Sequence, residues 1–232
     1  MAKFLQTDSL ADFQKLTDVL YTAPDDKLFS LFDLVSILAR YSMRTIKGIR
    51  KGDMVLTKDS LLKALSWLMT VANRLKIDLD QALWKRFPGV CSYCGDAPCV
   101  CQERHVKKRV KIREEHGKKP RTLEATQSKM AEIYPRASRT LEHAGIHLAE
   151  EMGEVSEAIR RHYSAPEEKH FASIKSELAD YLSCLYNIAN SADINVAEEL
   201  AHRYHNNCYD CHTVPCSCDP TKVAMSGTET TQ

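Results

Sequence analysis

Glu150, Glu151, Glu154 and Glu157, answered further on by Glu177 and Asp180, are the residues of this 232-residue chain whose types and spacing could do chemistry. On a helix of about 3.6 residues per turn the first four fall in one stripe, flanked by Leu148, Met152, Val155 and Ile159. Glu177 and Asp180 sit one turn apart on a second predicted helix, beside Leu178, Tyr181, Leu182, Leu185 and Ile188. The short connection through Ser164, Ala165 and Pro166 lets the two helices pack antiparallel, acids facing acids. Carboxylates gathered that closely raise one another's pKa unless a cation lies between them. Hard oxygen ligands on facing helices suit Mg²⁺ or Mn²⁺. A Glu-rich stripe is ordinarily a solvated face, but here the acids adjoin apolar residues on both helices.

A second chemistry is written in cysteine. Cys91, Cys94, Cys99 and Cys101 share their spacing with Cys208, Cys211, Cys216 and Cys218, and each set has a proline, Pro98 or Pro215, before its third cysteine. Four thiols within a few residues can close a tetrahedral Zn²⁺ site that has no open position for catalysis. An iron–sulfur cluster or redox-active disulfides are the alternatives. Cys184 reads as a small core residue. His202, His205 and His212 surround the later cluster but have no counterparts at the earlier one, so they are not expected to be ligands.

Sliding the chain on itself by 117 positions, the separation of Cys208 from Cys91, aligns 29–101 with 146–218 without a gap. Identities include Leu61/Leu178, Leu65/Leu182, Ser66/Ser183, Asn73/Asn190, Ile77/Ile194 and Arg86/Arg203, so the chain reads as two copies of one helical unit. At the same offset the acids face Asp33, Leu34, Ile37, Arg40, Ser60 and Lys63. A site holding Leu34, Ile37 and Lys63 cannot bind a divalent cation the same way, and the first copy is expected to be catalytically dead.

The pattern Glu150-Glu151-x-x-Glu154 followed by Glu177-x-x-Asp180, with His147-Leu148-Ala149 before it and Asn195-Val196 opening a later helix, resembles the MazG-like nucleotide pyrophosphohydrolases of the all-α NTP pyrophosphatase superfamily. The likeness covers about 123–207. It implies an all-α helical bundle, here built from two tandem repeats each ending in a four-cysteine metal knuckle, and hydrolysis of a nucleoside triphosphate to the monophosphate and pyrophosphate. By the family pattern Glu151, Glu154, Glu177 and Asp180 hold the metal, with Glu150 as an accessory acid or water-activating base and Glu157 as a weaker candidate. The pattern also puts a basic residue and an asparagine, here Arg203 and Asn207, on substrate. His147 could contact substrate phosphate or pair with an acid. Family members pair subunits; the tandem copies can supply that pairing within one chain, the first forming a structural half and one wall of the nucleotide pocket, and the chain could still dimerise.

The expected elements are helices over 10–21, 27–46, 58–75, 79–87, 123–134, 138–161, 174–190 and 196–206, with no strand pattern. They divide the chain into a degenerate repeat over 1–101, a basic linker over 102–121, a catalytic repeat over 122–218 and a disordered tail over 219–232. The linker has nine Lys or Arg against three Glu; it is expected to be partly helical over 103–116, and it reads as a solvated connector or a phosphate-attracting arm. A net charge of +1 gives no general argument for nucleic acid or an anionic membrane. The amino-terminal residues lack the apolar core of a signal peptide, and a cytoplasmic address follows as the expectation. The rival functions are a non-enzymatic zinc-bearing module that binds nucleic acid through the linker, and a nucleotide sensor without turnover.

Overall fold

A computed structural model describes residues 2–113, 117–138 and 140–219. The described residues are helical and contain no strand. Helix α1 (Leu10–Thr17) continues through a π-helical turn (Asp18–Thr22) into α2 (Ala23–Leu28). Pro24 falls in the first turn of α2. After α3 (Leu31–Lys51), α4 (Met54–Arg74) and α5 (Leu79–Arg86), the second half repeats the order with α6 (Leu123–Ile133), a 3-10 turn (Arg136–Ser138), α7 (Leu141–Ser164), α8 (Glu168–Ser191) and α9 (Val196–Arg203).

Local chemistry sets the ends. Ser9 and Ser30 form capping boxes with Asp12 and Asp33, and Asp53, Asp78, Thr122, Thr140 and Asn195 each accept from a backbone N–H in the first turn of the helix that follows. α3 runs past the 27–46 expected for it and stays helical through Gly48 to Lys51. Gly52 is left-handed, at φ 67°, as its C-cap. Gly48 is held inside α3 because a Cβ there would meet Thr57 N at 2.7 Å.

Long helices make the core. α3 packs along α4 and α7 along α8; the two hairpins meet through α3 against α7 and α4 against α8. Leu34, Leu38, Leu61, Leu65, Leu148, Val155, Leu178 and Leu182 fill the centre, each 1 % exposed or less. Across the centre, the Ser42 and Tyr181 hydroxyls share a 2.6 Å hydrogen bond. No helix among the described residues is long and apolar enough to cross a membrane.

The two halves are built alike down to single hydrogen bonds. Gln14 on α1 donates to Asn73 Oδ1 and the Ile77 carbonyl, and accepts from Leu79 N. Gln127 on α6 makes the same bonds to Asn190, Ile194 and Val196 N. Since Gln127 lies 113 positions after Gln14 while the partners are 117 apart, the first helix carries the repeat across a four-residue shift. Gln14→Met and Gln127→Met are therefore expected to cost similar amounts, about 2–3 kcal/mol each, through the partners left unsatisfied, with denaturant midpoints as the readout.

Each half also clasps the other. Cys99 N donates to the Ile133 carbonyl at 2.8 Å, and Cys216 N donates to the Leu20 carbonyl at 2.8 Å. The Tyr134 hydroxyl reaches Cys91 Sγ at 3.4 Å, and that of Tyr21 reaches Cys208 Sγ at 3.7 Å. Both cysteine loops thus sit against the first helical segment of the opposite half. In the linker, the helix expected over 103–116 does not form among the described residues; 114–116 lie outside them, as do residues 220–232 of the expected tail.

Candidate active site

Antiparallel packing of α7 on α8 brings together Glu151, Glu177 and Asp180, each with a carboxylate oxygen within 4.8 Å of the others. The cause is local: Glu177 and Asp180 follow one another by one turn on α8, and Glu151 lies opposite them between the buried Leu148, Met152 and Val155 of α7. Asp180 is only 7 % exposed. Glu151 Oε2 is buried and accepts no hydrogen bond among the described residues.

The electrostatics follow from that crowding. Burial, then the charges of Asp180, Glu154 and Glu177, push the Glu151 carboxyl up to about 8, against the pull of Arg86. Burial with Asp180 and Glu154 raises Glu177. Burial also raises Asp180, outweighing the hydrogen bonds and charge of Arg86. A buried carboxylate oxygen without a partner, beside two more carboxylates, is a donor set that fits a hard divalent cation.

The remaining acids are placed differently. Glu154 is exposed, but its charge reaches both Glu151 and Glu177. Glu150 is also exposed and pairs with His147 Nδ1 at 3.4 Å; Glu157 pairs with Arg161 one turn on. The single acidic stripe drawn on α7 therefore splits, with Glu151 turned inward.

Arg203 and Asn207 are not brought to these acids. Arg203 Nη2 donates to Asp59 at 2.8 Å, its guanidinium lies over Tyr209, and Asp59 also pairs with Lys63 at 2.9 Å. Lys63 occupies the repeat position of Asp180, so in the first half internal cations stand where the second half gathers carboxylates. Burial pushes Asp59 up, but the hydrogen bonds from Lys63 and Arg203 prevail and hold it below the usual carboxylate range. Asn207 secures the amino terminus: its Oδ1 accepts from Ala2 N at 2.7 Å and its backbone N–H donates to Ala2 O at 2.7 Å.

The basic residue that faces the acids is Arg86, at the end of α5 in the first half. It donates through Nε to both Asp180 oxygens, at 2.9 and 3.1 Å, and pairs with Oδ2 through Nη2. Sequence carried a signal for it, since arginine stands at both 86 and 203, positions separated by the same 117 residues as the cysteine sets. A second arginine was hidden in the linker. Arg109 lies over the Tyr93 ring, and its Nη2 is 3.7 Å from Asp180 Oδ2.

Glu151, Asp180, Arg109 and His147 line a cavity of about 230 Å³ together with residues of the first cysteine loop. In that loop Cys91 and Cys101 Sγ are 3.7 Å apart and Cys94 and Cys99 Sγ 4.0 Å; in the later loop the corresponding separations are 3.7 and 3.8 Å. With Zn–S bonds near 2.3 Å, the edge of a ZnS₄ tetrahedron is about 3.8 Å, whereas a disulfide needs about 2.05 Å. None of the nine cysteines is in a disulfide, and each set of four fits one metal ion.

In the metal-free chain Glu151 keeps a proton between its ordinary carboxylate range and about pH 8, while the unfolded chain has lost it. Stability from this group is therefore fully present below about pH 4.5 and is lost progressively as pH rises to about 8, by on the order of 2 kcal/mol after discounting for solvent screening. Binding a divalent cation at neutral pH is expected to expel close to one proton, read as buffer-dependent heats in calorimetry; heats independent of the buffer would contradict this.

Residues 139–204, which carry α7, α8, α9 and the acids of α7 and α8, match the MazG nucleotide pyrophosphohydrolase domain. No curated protein and no solved structure matches the chain.

Proposed function

We propose, starting from the MazG match over 139–204, that the chain is a Mg²⁺-dependent pyrophosphohydrolase of nucleoside triphosphates. The observation that carries this reading is the buried, unpartnered Glu151 oxygen beside Glu177 and Asp180, with the guanidinium groups of Arg86 and Arg109 next to them. Glu151, Glu177 and Asp180 would hold Mg²⁺ or Mn²⁺, with Glu154 completing the set from the exposed side. When bound, the ion supplies charge neutralisation for the triphosphate and stabilises charge developing at phosphorus.

The chain's own groups do the rest. Arg86 and Arg109 exchange Asp180 for phosphate oxygens, a change of partner that bidentate guanidinium groups make readily. Water adds to the α-phosphorus and the bond to the oxygen bridging the α and β phosphorus atoms breaks, giving the monophosphate and pyrophosphate. Glu150, 3.4 Å from Nδ1 of the cavity-lining His147, takes the proton of the water.

On the same reading 1–101 is a degenerate copy whose Arg86 completes the catalytic copy at 122–218, and 102–121 delivers Arg109. Each cysteine set binds one structural Zn²⁺, which pins a loop of one copy to a helix of the other. The protein works in the cytosol. A nucleic-acid-binding module is disfavoured because Arg109 of the basic stretch is turned to Asp180 rather than presented to a polyanion.

Incubating the purified chain with the common nucleoside triphosphates and Mg²⁺ should yield monophosphate and pyrophosphate in equal amounts, and chelation should stop it. Release of orthophosphate with a diphosphate, or tight nucleotide binding without turnover, would refute this reaction. Elemental analysis should find two zinc ions per chain.

A further inference from the structure

Seven residues past Asp180 on the same helix, Asn187 is 6 % exposed, and its side-chain Oδ1 is buried without a hydrogen bond among the described residues. It lines the same cavity as Glu151 and Asp180. Seven residues are two helical turns less about 20°, so Asp180 and Asn187 share a face of α8, about 10 Å apart along its axis. The stripe begins in carboxylates and ends in an amide.

The other half lacks this feature. At the repeat position of Asn187 stands Thr70, whose hydroxyl bonds to the Ser66 carbonyl of its own helix. The amide thus occurs in the half with gathered carboxylates, where it leaves a buried acceptor unsatisfied. Buried polar groups are rarely left so, because each costs stability, and one on a cavity-lining residue is explained by a ligand that satisfies it. Around it Tyr93, Tyr134 and Phe87 supply flat apolar walls.

We infer that Asn187 is the base-reading residue of this cavity: a nucleobase edge with an N–H donor beside an acceptor pairs with its amide while the phosphates lie at the carboxylate end. This rests on the nucleotide reading of the site. Base recognition is thereby placed on α8 and separated along the helix from phosphate and metal binding. A site built to hydrogen-bond a substrate group discriminates strongly against ligands that lack it.

The test is calorimetric binding, with Mg²⁺, of α,β-methylene analogues of the four common nucleoside triphosphates and of inorganic tripolyphosphate, which has phosphates and no base. The wild-type chain should bind its preferred analogue at least about tenfold more tightly than tripolyphosphate. In Asn187→Leu and in the isosteric Asn187→Asp this preference should disappear, with tripolyphosphate affinity unchanged within about twofold. Asn187→Leu should also melt a few degrees higher, since it removes an unsatisfied buried acceptor.

If the variants bind the analogue as the wild type does, or lose both probes equally, Asn187 does not read the base. A wild-type chain that binds analogue and tripolyphosphate equally overturns the inference as well. If the wild-type chain binds neither probe, the nucleotide reading itself fails, an outcome distinct from the others.

Discussion

Glu151→Gln is expected to cut Mg²⁺-dependent pyrophosphate release by at least about 10³-fold, some 4 kcal/mol of lost transition-state stabilisation, while making the metal-free chain more stable. The two effects have one origin. Glu151 is raised to about 8 by burial and by the neighbouring Asp180, Glu154 and Glu177, so at neutral pH the metal-free chain must take up a proton there to fold. A neutral amide of the same shape removes that cost and also removes a ligand. Rising thermal stability with falling activity separates this account from a merely structural role, in which both would fall. The measurement pairs a melting curve in chelator with initial rates of pyrophosphate release.

Arg86→Ala carries the next largest expected effect, and it tests the contact between the halves. Arg86 holds both oxygens of Asp180, and both side chains are largely buried, 18 % and 10 % exposed. Removing one partner of a buried ion pair strands the other, typically at about 3–5 kcal/mol. The loss should appear in the metal-free chain and shrink when Mg²⁺ is added, because the cation takes over the stranded carboxylate. Activity should fall about 10²-fold even with Mg²⁺ saturating, from the missing phosphate contact. Denaturant midpoints with and without Mg²⁺ check this, and a midpoint equal to that of the wild type in chelator would contradict it.

What could be read from sequence was local or periodic. The spacing of Glu177 and Asp180 fixes one turn of one helix, and the apolar stripes of α7 and α8 are strong enough to specify their packing, so the gathering of Glu151, Glu177 and Asp180 follows from short-range geometry. The all-α class followed in the same way. Helix ends were less legible: α3 begins at the Ser30 capping box and runs on through Gly48, which is fixed by the close approach of Thr57.

Contacts that depend on how one half meets the other were out of reach. The family pattern puts Arg203 on substrate, but α5 packs against α8, and this crossing sets Arg86, the residue 117 positions before it, beside Asp180. Arg109 was invisible for a similar reason: nothing in a run of basic residues marks the one that stacks on Tyr93 and meets Asp180. Asn187 resembles any polar residue on a helix until its buried Oδ1, without a hydrogen bond among the described residues, is seen. The Gln14 and Gln127 networks escape an ungapped comparison because the first helix repeats at 113 positions rather than 117.

The central claim is that Glu151, Glu177 and Asp180 together hold a divalent cation. Titration of the chain with Mn²⁺, followed by the loss of the free-ion electron paramagnetic resonance signal, measures this directly. Mn²⁺ should bind saturably, be displaced by Mg²⁺, and bind at least about tenfold more weakly to Glu177→Gln. Mn²⁺ that stays free, or that binds equally well to Glu177→Gln, would contradict the claim.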